Sequence, residues 1–361
     1  MNRHAMLPLL LLACGVDPDA THALPADQAP VPVYMDLTYD HDLIKGESSV
    51  VTVVDAPPGR NVFLLATGAI NAPGACPPAL APDCLEVGNP YVILGTEVAD
   101  ASGLATFTFN VPAAVPVDTA KLQAAAVVGR THYVSDAPLV AIVDPPTATT
   151  IPAIRAGQHP LGAYLELNGV VTAVRSTGFT LQGQTQANDG IFIFNPNGPQ
   201  PAPGDLVRVA GETELYDNNG ALVAPADTLL ELVLAVDGGF WEPMGTAPLP
   251  APRRFTPTQL QDPALLESME SMLIEVEDTV PLVVLTDPFG IGAFSEFSVA
   301  RGPGAAAVVI DNEYFNLPSA LPTLSVGDSF DGFVGVLHFS FDAYKVAVRS
   351  SLDAPGFVDV P

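Results

Sequence analysis

The residues that could do chemistry are six scattered histidines, three cysteines and a few clusters of carboxylates. His4, His22, His41, His132, His159 and His338 show no H-E-x-x-H or comparable zinc spacing. In GDSFDG, Asp328 and Ser329 set a hydroxyl beside a carboxylate, but the stretch precedes a late strand. Both read as turn residues entering that strand, and no G-x-S-x-G occurs. Oxygen-rich turns can hold calcium. DLTYDHD offers Asp36, Asp40 and Asp42, yet lacks the glycine and distal glutamate of an EF-hand loop. ELYDNNGAL offers Asp217, Asn218 and Asn219, though Asn219-Gly220 more simply makes a type I′ hairpin turn. The expectation is a chain without catalytic residues or a cofactor, with calcium at Asp217 and Asn219 as the minor alternative.

The cysteines point to an address. The chain starts MNRHAMLPLLLLACG: a short basic head at Arg3 and His4, then an apolar run from Leu7 to Leu12 broken only by Pro8. The run is far shorter than the roughly 20 residues of a spanning helix and reads as a secretory signal. Leu11-Leu12-Ala13-Cys14 resembles the lipobox of bacterial lipoproteins. That resemblance implies cleavage before Cys14, a lipid on its thiol and a membrane partner reached through that anchor. Gly15 stands where an inner-membrane retention signal would show Asp, which favours the outer membrane or cell surface. The alternative is an ordinary signal peptide with an unrelated cysteine. With Cys14 lipidated, Cys76 and Cys84 remain as an even pair. In an oxidising compartment CPPALAPDC is most simply closed by a disulfide. Half of a metal site is the alternative, but no histidine or third cysteine lies nearby.

Charge narrows the partners. Forty acidic against 13 basic residues give a net charge of −27. Non-specific nucleic-acid binding needs Lys/Arg patches, and the lysines are only Lys45, Lys121 and Lys345. An acidic surface suits solubility outside the cell.

The elements that must position these residues are short strands. Residues 1–13 are the signal peptide, and 14–31, rich in Pro, Ala and Asp, a flexible tether. Residues 32–144 alternate short apolar runs with turns such as Ala56-Pro57-Pro58-Gly59. In ATFTFNV, the residues Ala105, Phe107, Phe109 and Val111 share one face by period two. The pattern is that of a β-sandwich and resembles the immunoglobulin-like modules of secreted bacterial proteins. Residues 144–152 read as a linker. Residues 153–237 give strands at LELNGVVTAV, GFTLQG, GIFIFNP and GDLVRVAGETELY. In 238–355 a short helix runs into a strand, and further strands end in VLHFSFDAYKVAVR.

The order G-V-V-T, G-F-T-L-Q, D-G-I-F-I-F, P-G-D-L-V-R-V-A-G resembles the OB-fold-like module upstream of the catalytic domain in secreted bacterial nucleases of the endonuclease/exonuclease/phosphatase family. Glu270-Ser271-Met272, Ser295-Glu296-Phe297 and the final motif resemble the β-rich segment that follows in the same nucleases. Ser271 stands for a glycine there, and His338-Phe339 interrupt the last motif. The strand pattern of 32–144 and this resemblance together imply an all-β chain: an immunoglobulin-like sandwich followed by two OB-fold-like barrels. The chain stops at Pro361, so the nuclease catalytic domain is expected to be absent, and no activity or catalytic residue carries over.

An OB barrel binds ligands on one strand face and its adjoining loops, where oligonucleotide binders place aromatics and cations. Phe192, Phe194, Tyr216 and Arg208 are the candidates, with Phe179 and Arg175 nearby; Phe192 and Phe194 share a face that reads first as core. Phe339, Phe341 and Tyr344 flank Lys345 and Arg349 in the same way. The expected function is a non-catalytic, lipid-anchored surface scaffold binding an envelope protein or glycan. A nucleic-acid-binding accessory to a separate nuclease is the alternative, and the charge opposes it.

Overall fold

The computed structural model describes residues 32–81, 83–183, 187–216, 228–290 and 294–360. Cys14, Asp217 and Asn219 lie outside the described residues. The chain is all-β: three strand-built bodies follow one another, and helices are confined to short connections.

The first body is a sandwich. One layer pairs β1 (Val33–Tyr39), β3 (Ser48–Val54) and β6 (Ala105–Asn110); the two-residue β2 (Leu43–Ile44) lies between β1 and β3 in the chain. The other pairs β5 (Val92–Val98), β4 (Asn61–Thr67), β7 (Thr119–Val128) and β8 (Thr131–Ser135), and β9 (Leu139–Val143) joins β7 and β2. The first strand belongs to both layers: Asp36–Tyr39 run antiparallel to β3, while Val33–Met35 run parallel to β8. Period-two alternation in β3 sends Val51 and Val53 inward to meet Leu64, Phe107 and Leu122. Cys76 and Cys84 are joined by a disulfide in the long β4–β5 connection. That connection is held down by Leu80, Leu85 and Val87 on Leu65 and by Gln123, which accepts from the Glu86 and Val87 amides.

The stretch expected to be a linker, 144–152, is part of the next body. Thr147 and Ala148 form β10 and pair in parallel with Leu165 and Glu166; Thr150 caps α1 (Ile151–Arg155) by accepting from the Ala153 amide. A two-residue strand whose partner lies 18 residues on leaves no local trace. The barrel itself is β11 (Tyr164–Arg175), β12 (Gly178–Gln182), β13 (Gly190–Phe194), β14 (Asp205–Tyr216) and β15 (Leu229–Val233). Pairing runs β11-β12-β13-β15-β14 and closes from β14 back to β11, with β13 and β15 parallel. β16 (Phe240–Thr246) adds to the outer edge of β14.

The third body repeats this plan. β17 (Arg253–Phe255) pairs in parallel with β18 (Leu273–Val284), and α2 (Pro263–Met269) stands between them. β18, β19 (Phe297–Ala300), β20 (Ala307–Asp311), β22 (Ala343–Ala347) and β21 (Ser329–Ser340) close the same circuit, again with one parallel pair; α3 (Leu317–Ala320) links β20 to β21. Each fourth strand carries a glycine just before its residue paired with the end of the fifth strand. A Cβ at Gly211 would lie 2.4 Å from the Val233 carbonyl oxygen, and one at Gly335 2.6 Å from that of Ala347. Only glycine admits that approach.

Candidate functional site

Strand alternation decides which side chains leave the barrels. In β13 and β15 the residues Ile191, Ile193 and Leu232 fill the first barrel's core. Their neighbours face outward, and the register places Thr180, Phe192, Glu231 and Glu214 in one row across four strands. The second barrel lies over this row. The Thr180 and Tyr314 hydroxyls are 2.6 Å apart, and the Leu273 amide donates to Gln182 Oε1 at 2.9 Å. A second anchor is fully inside: the Arg155 side chain, 2% exposed, donates to Glu270 at 2.9 Å and Glu267 at 3.1 Å, and the Glu270 side chain is 1% exposed.

Beyond the anchors the two barrels part to leave a cleft of about 280 Å³. The first barrel contributes Arg175 from the end of β11, Thr177 from the β11–β12 turn, Phe194 from β13, and Tyr216, Leu229 and Glu231 from β14 and β15. The second contributes Glu313 from beyond β20, His338 to Ser340 from the end of β21, and Phe341 from the turn after it. Arg175 lies 4.0 Å over the Phe192 ring and pairs with Glu313; its Nε has no partner among the described residues. Glu231 is 4% exposed and makes no hydrogen bond or ion pair among the described residues. Burial, then repulsion from Glu214, push its carboxyl up to about 7, with Arg175 pulling the other way. His338, equally buried, meets Tyr314 edge-on and has no hydrogen bond among the described residues. Burial first, then Arg175 and Lys345, hold its imidazole neutral, down to about 3. Behind it Lys345 binds Glu296 at 2.7 Å and approaches Asp311 at 4.0 Å; burial pushes the Asp311 carboxyl up to about 6.

A larger groove, about 510 Å³, lies between the sandwich and the first barrel, with His41, Ser48, Asn195, Trp241 and Glu242 among its walls. Its polar groups are mostly engaged within the protein. Trp241 Nε1 donates to the Pro199 carbonyl at 2.8 Å, as does Asn195 Nδ2 at 3.0 Å; Ser48 donates to Asn110, and Glu242 accepts from Arg208. Phe240 stacks on His41 at 4.7 Å and packs with Ile44 and Ala210.

The candidate ligand-face residues separate. Phe194 and Tyr216 come together in the inter-barrel cleft, whereas Phe192 is sealed beneath Arg175 at 1% exposure. Arg208 lies at the other junction, among Glu47, Glu166 and Glu242. Asp42 accepts from the Ala141 and Gly238 amides, so its carboxylate is occupied; no metal-holding cluster occurs among the described residues. Asp328 accepts from the Ser325 and Val360 amides and pins the turn that enters β21. Glu231 had not stood out in the sequence. Its one signal is a lone carboxylate inside the apolar strand LLELV.

No protein-family model matches the chain, and no curated protein matches it. Among solved structures it is similar to a tetra-tandem repeat in the extending region of a large adhesion protein, at 12% identity and a TM-score of 0.22, over 87% of this chain and 72% of that one. It is also similar to Escherichia coli alpha-2-macroglobulin activated by porcine elastase, at 10% identity and a TM-score of 0.23, over 72% of this chain and 24% of that one. With TM-scores this low, neither neighbour informs the site, whose chemistry rests on the chain's own residues.

Proposed function

We propose that this chain is a non-catalytic binding protein of the bacterial envelope surface, anchored through a lipid on Cys14 and seating its ligand in the cleft between its two barrels. The carrying observation is the cleft itself: two buried polar side chains, Glu231 and His338, face it without a hydrogen-bond partner among the described residues, beside an aromatic rim. Buried polar groups are normally satisfied, and groups left open at a concave surface are the usual mark of a ligand seat. The closed circuits of both bodies support the OB-like assignment. The cleft also falls at the strand ends and turns that OB barrels use for ligands. The Cys76–Cys84 disulfide supports an oxidising compartment. The accessory-nuclease alternative gains nothing here, because Glu231, Glu214 and Glu313 outnumber Arg175.

The test is capture of envelope components, glycan or protein, by the full chain in detergent. Tyr216→Ala and Phe341→Ala change rings that are 45% and 70% exposed, so they alter the rim and spare the core. A captured component lost in both variants is expected. Capture of nothing, or equal capture by the variants, overturns the binding reading. Radiolabelled fatty acid should enter the wild-type chain and not Cys14→Ser; label in both would remove the anchor.

A further inference from the structure

We infer that the inter-barrel cleft takes an organic ammonium group on a short aminoalkyl chain, with Glu231 as its counter-ion and Phe194, Tyr216 and Phe341 as its walls. The inference rests on the binding reading and narrows it to one class of ligand. Glu231 carries the argument. A carboxylate this buried is costly unless it meets a donor or a cation, and the described residues supply neither in contact.

The groups facing Glu231 are Glu214 from β14, Arg175 from the end of β11, Glu313 from beyond β20 and His338 from β21. His338 is neutral, and the Arg175 charge is paired with Glu313 and lies over the Phe192 ring, with only its Nε unpartnered among the described residues. Carboxylates therefore exceed free cations, and an anionic ligand meets net repulsion. A neutral sugar could hydrogen-bond Glu231 but would leave its charge unbalanced above pH 7, where the carboxyl is ionised. An ammonium supplies both the donors and the charge, and the Phe194 and Tyr216 walls favour that group further through their π faces; the Phe341 ring already carries Lys345 at 5.4 Å and closes the rim. The volume agrees: about 280 Å³ falls just below the range of ordinary ligand pockets, which suits a short chain and not a larger ligand.

The chemistry has two sources, a free diamine or a lysine side chain of a peptide. The test is calorimetric titration of the full chain in detergent with 1,5-diaminopentane, with a blocked lysine dipeptide, and with a neutral oligosaccharide. At least one ammonium probe is expected to bind at pH 8. Binding by the diamine alone assigns a free amine, and binding by the dipeptide alone assigns a protein partner. Affinity should fall about tenfold or more at pH 5.5, where Glu231 is protonated, and by a similar factor in Glu231→Gln. Tyr216→Ala should weaken binding several-fold. Glu231→Gln removes a buried charge and is expected to fold, which its thermal melt checks; Tyr216→Ala is the independent second variant.

No heat from either ammonium probe at millimolar concentration overturns the inference, as does equal affinity in Glu231→Gln. If envelope capture still depends on Tyr216 while the ammonium probes fail, the ligand class is wrong and the binding reading stands. If both fail, both fall.

Discussion

The sandwich–barrel and barrel–barrel junctions are each closed by an arginine set among glutamates, and they differ in what they leave over. At the first, Arg208 meets Glu47, Glu166 and Glu242, each side chain is 20% exposed or more, and Tyr164 donates to the Gly238 carbonyl at 2.6 Å. Water reaches these charges, while the Ser49 hydroxyl in the adjoining groove is buried with no partner among the described residues. At the second, Arg155 and Glu270 are sealed, while Glu231 and His338 are buried at the cleft with no hydrogen bond among the described residues. The first junction leaves a hydroxyl open and the second a carboxylate and an imidazole, and buried ionisable groups left open cost more stability.

The largest effect should come from breaking the sealed pair. Arg155→Met leaves Glu270 buried without its cation, and Tyr344, which donates to Glu267 at 2.7 Å, loses a framed partner. Breaking a buried pair by removing one side costs about 3–5 kcal/mol. Burial already pushes the Glu270 carboxyl up against the pull of Arg155, so protonation will soften the loss and the lower figure is expected. The double variant Arg155→Met/Glu270→Gln should recover much of it in denaturant unfolding. A double variant as weak as the single one would mean that the pair's geometry, and not the stranded charge, is what matters.

This contrast was only partly visible in the sequence. The sandwich strands were legible because one face of each is wet: Ala105 and Phe107 are buried in ATFTFNV while Thr106 and Thr108 are not. GIFIF gave no such guide, since Ile191 and Ile193 face the core while Phe192 is covered by Arg175. The segment reads as uniformly apolar, and core and interface look alike. Arg208 was read as a cation on a ligand face because its partner Glu47 is 161 residues away. The linker reading at 144–152 failed for the same reason, a partner outside the local window. The all-β class of both bodies was legible in their short apolar runs set between turns. The junction between them was not, because nothing in one barrel's pattern says which outer row the other will cover.

The next effect sharpens the comparison through pH. Glu231 is raised from its ordinary 4.5 to about 7, so the folded state holds this proton longer than the unfolded chain. Its contribution is full below about pH 4.5 and is lost as pH rises through 7. Glu231→Gln should therefore gain about 2–3 kcal/mol relative to wild type between pH 4.5 and pH 8, read as diverging denaturant midpoints. His338 has the opposite sign. Its imidazole is held down to about 3, so its contribution is present above its ordinary 6.5 and is lost as pH falls toward 3. His338→Gln should flatten the acid limb alone. Parallel curves for wild type and Glu231→Gln across this range would show that Glu231 is already neutralised by a partner.

The smallest effect tests the wetter junction. Arg208→Met removes three ion pairs at once, but all are part-exposed, and hydrated pairs are worth roughly 0–1 kcal/mol each. A loss of about 1–2 kcal/mol is expected, because Arg208 also lies 5.0 Å over the Phe240 ring and that contact goes with it. Salt separates the contributions. Charges that water reaches are screened within about 8 Å at physiological ionic strength, so the gap between wild type and Arg208→Met should narrow in 1 M salt, whereas the gap for Arg155→Met should persist. If both gaps narrow equally, the barrel–barrel pair is as wet as the other, and a sealed junction with open cleft groups no longer describes it. If neither narrows, Arg208 acts mainly through its packing on Phe240, and the sandwich is held to the first barrel by apolar contact more than by charge.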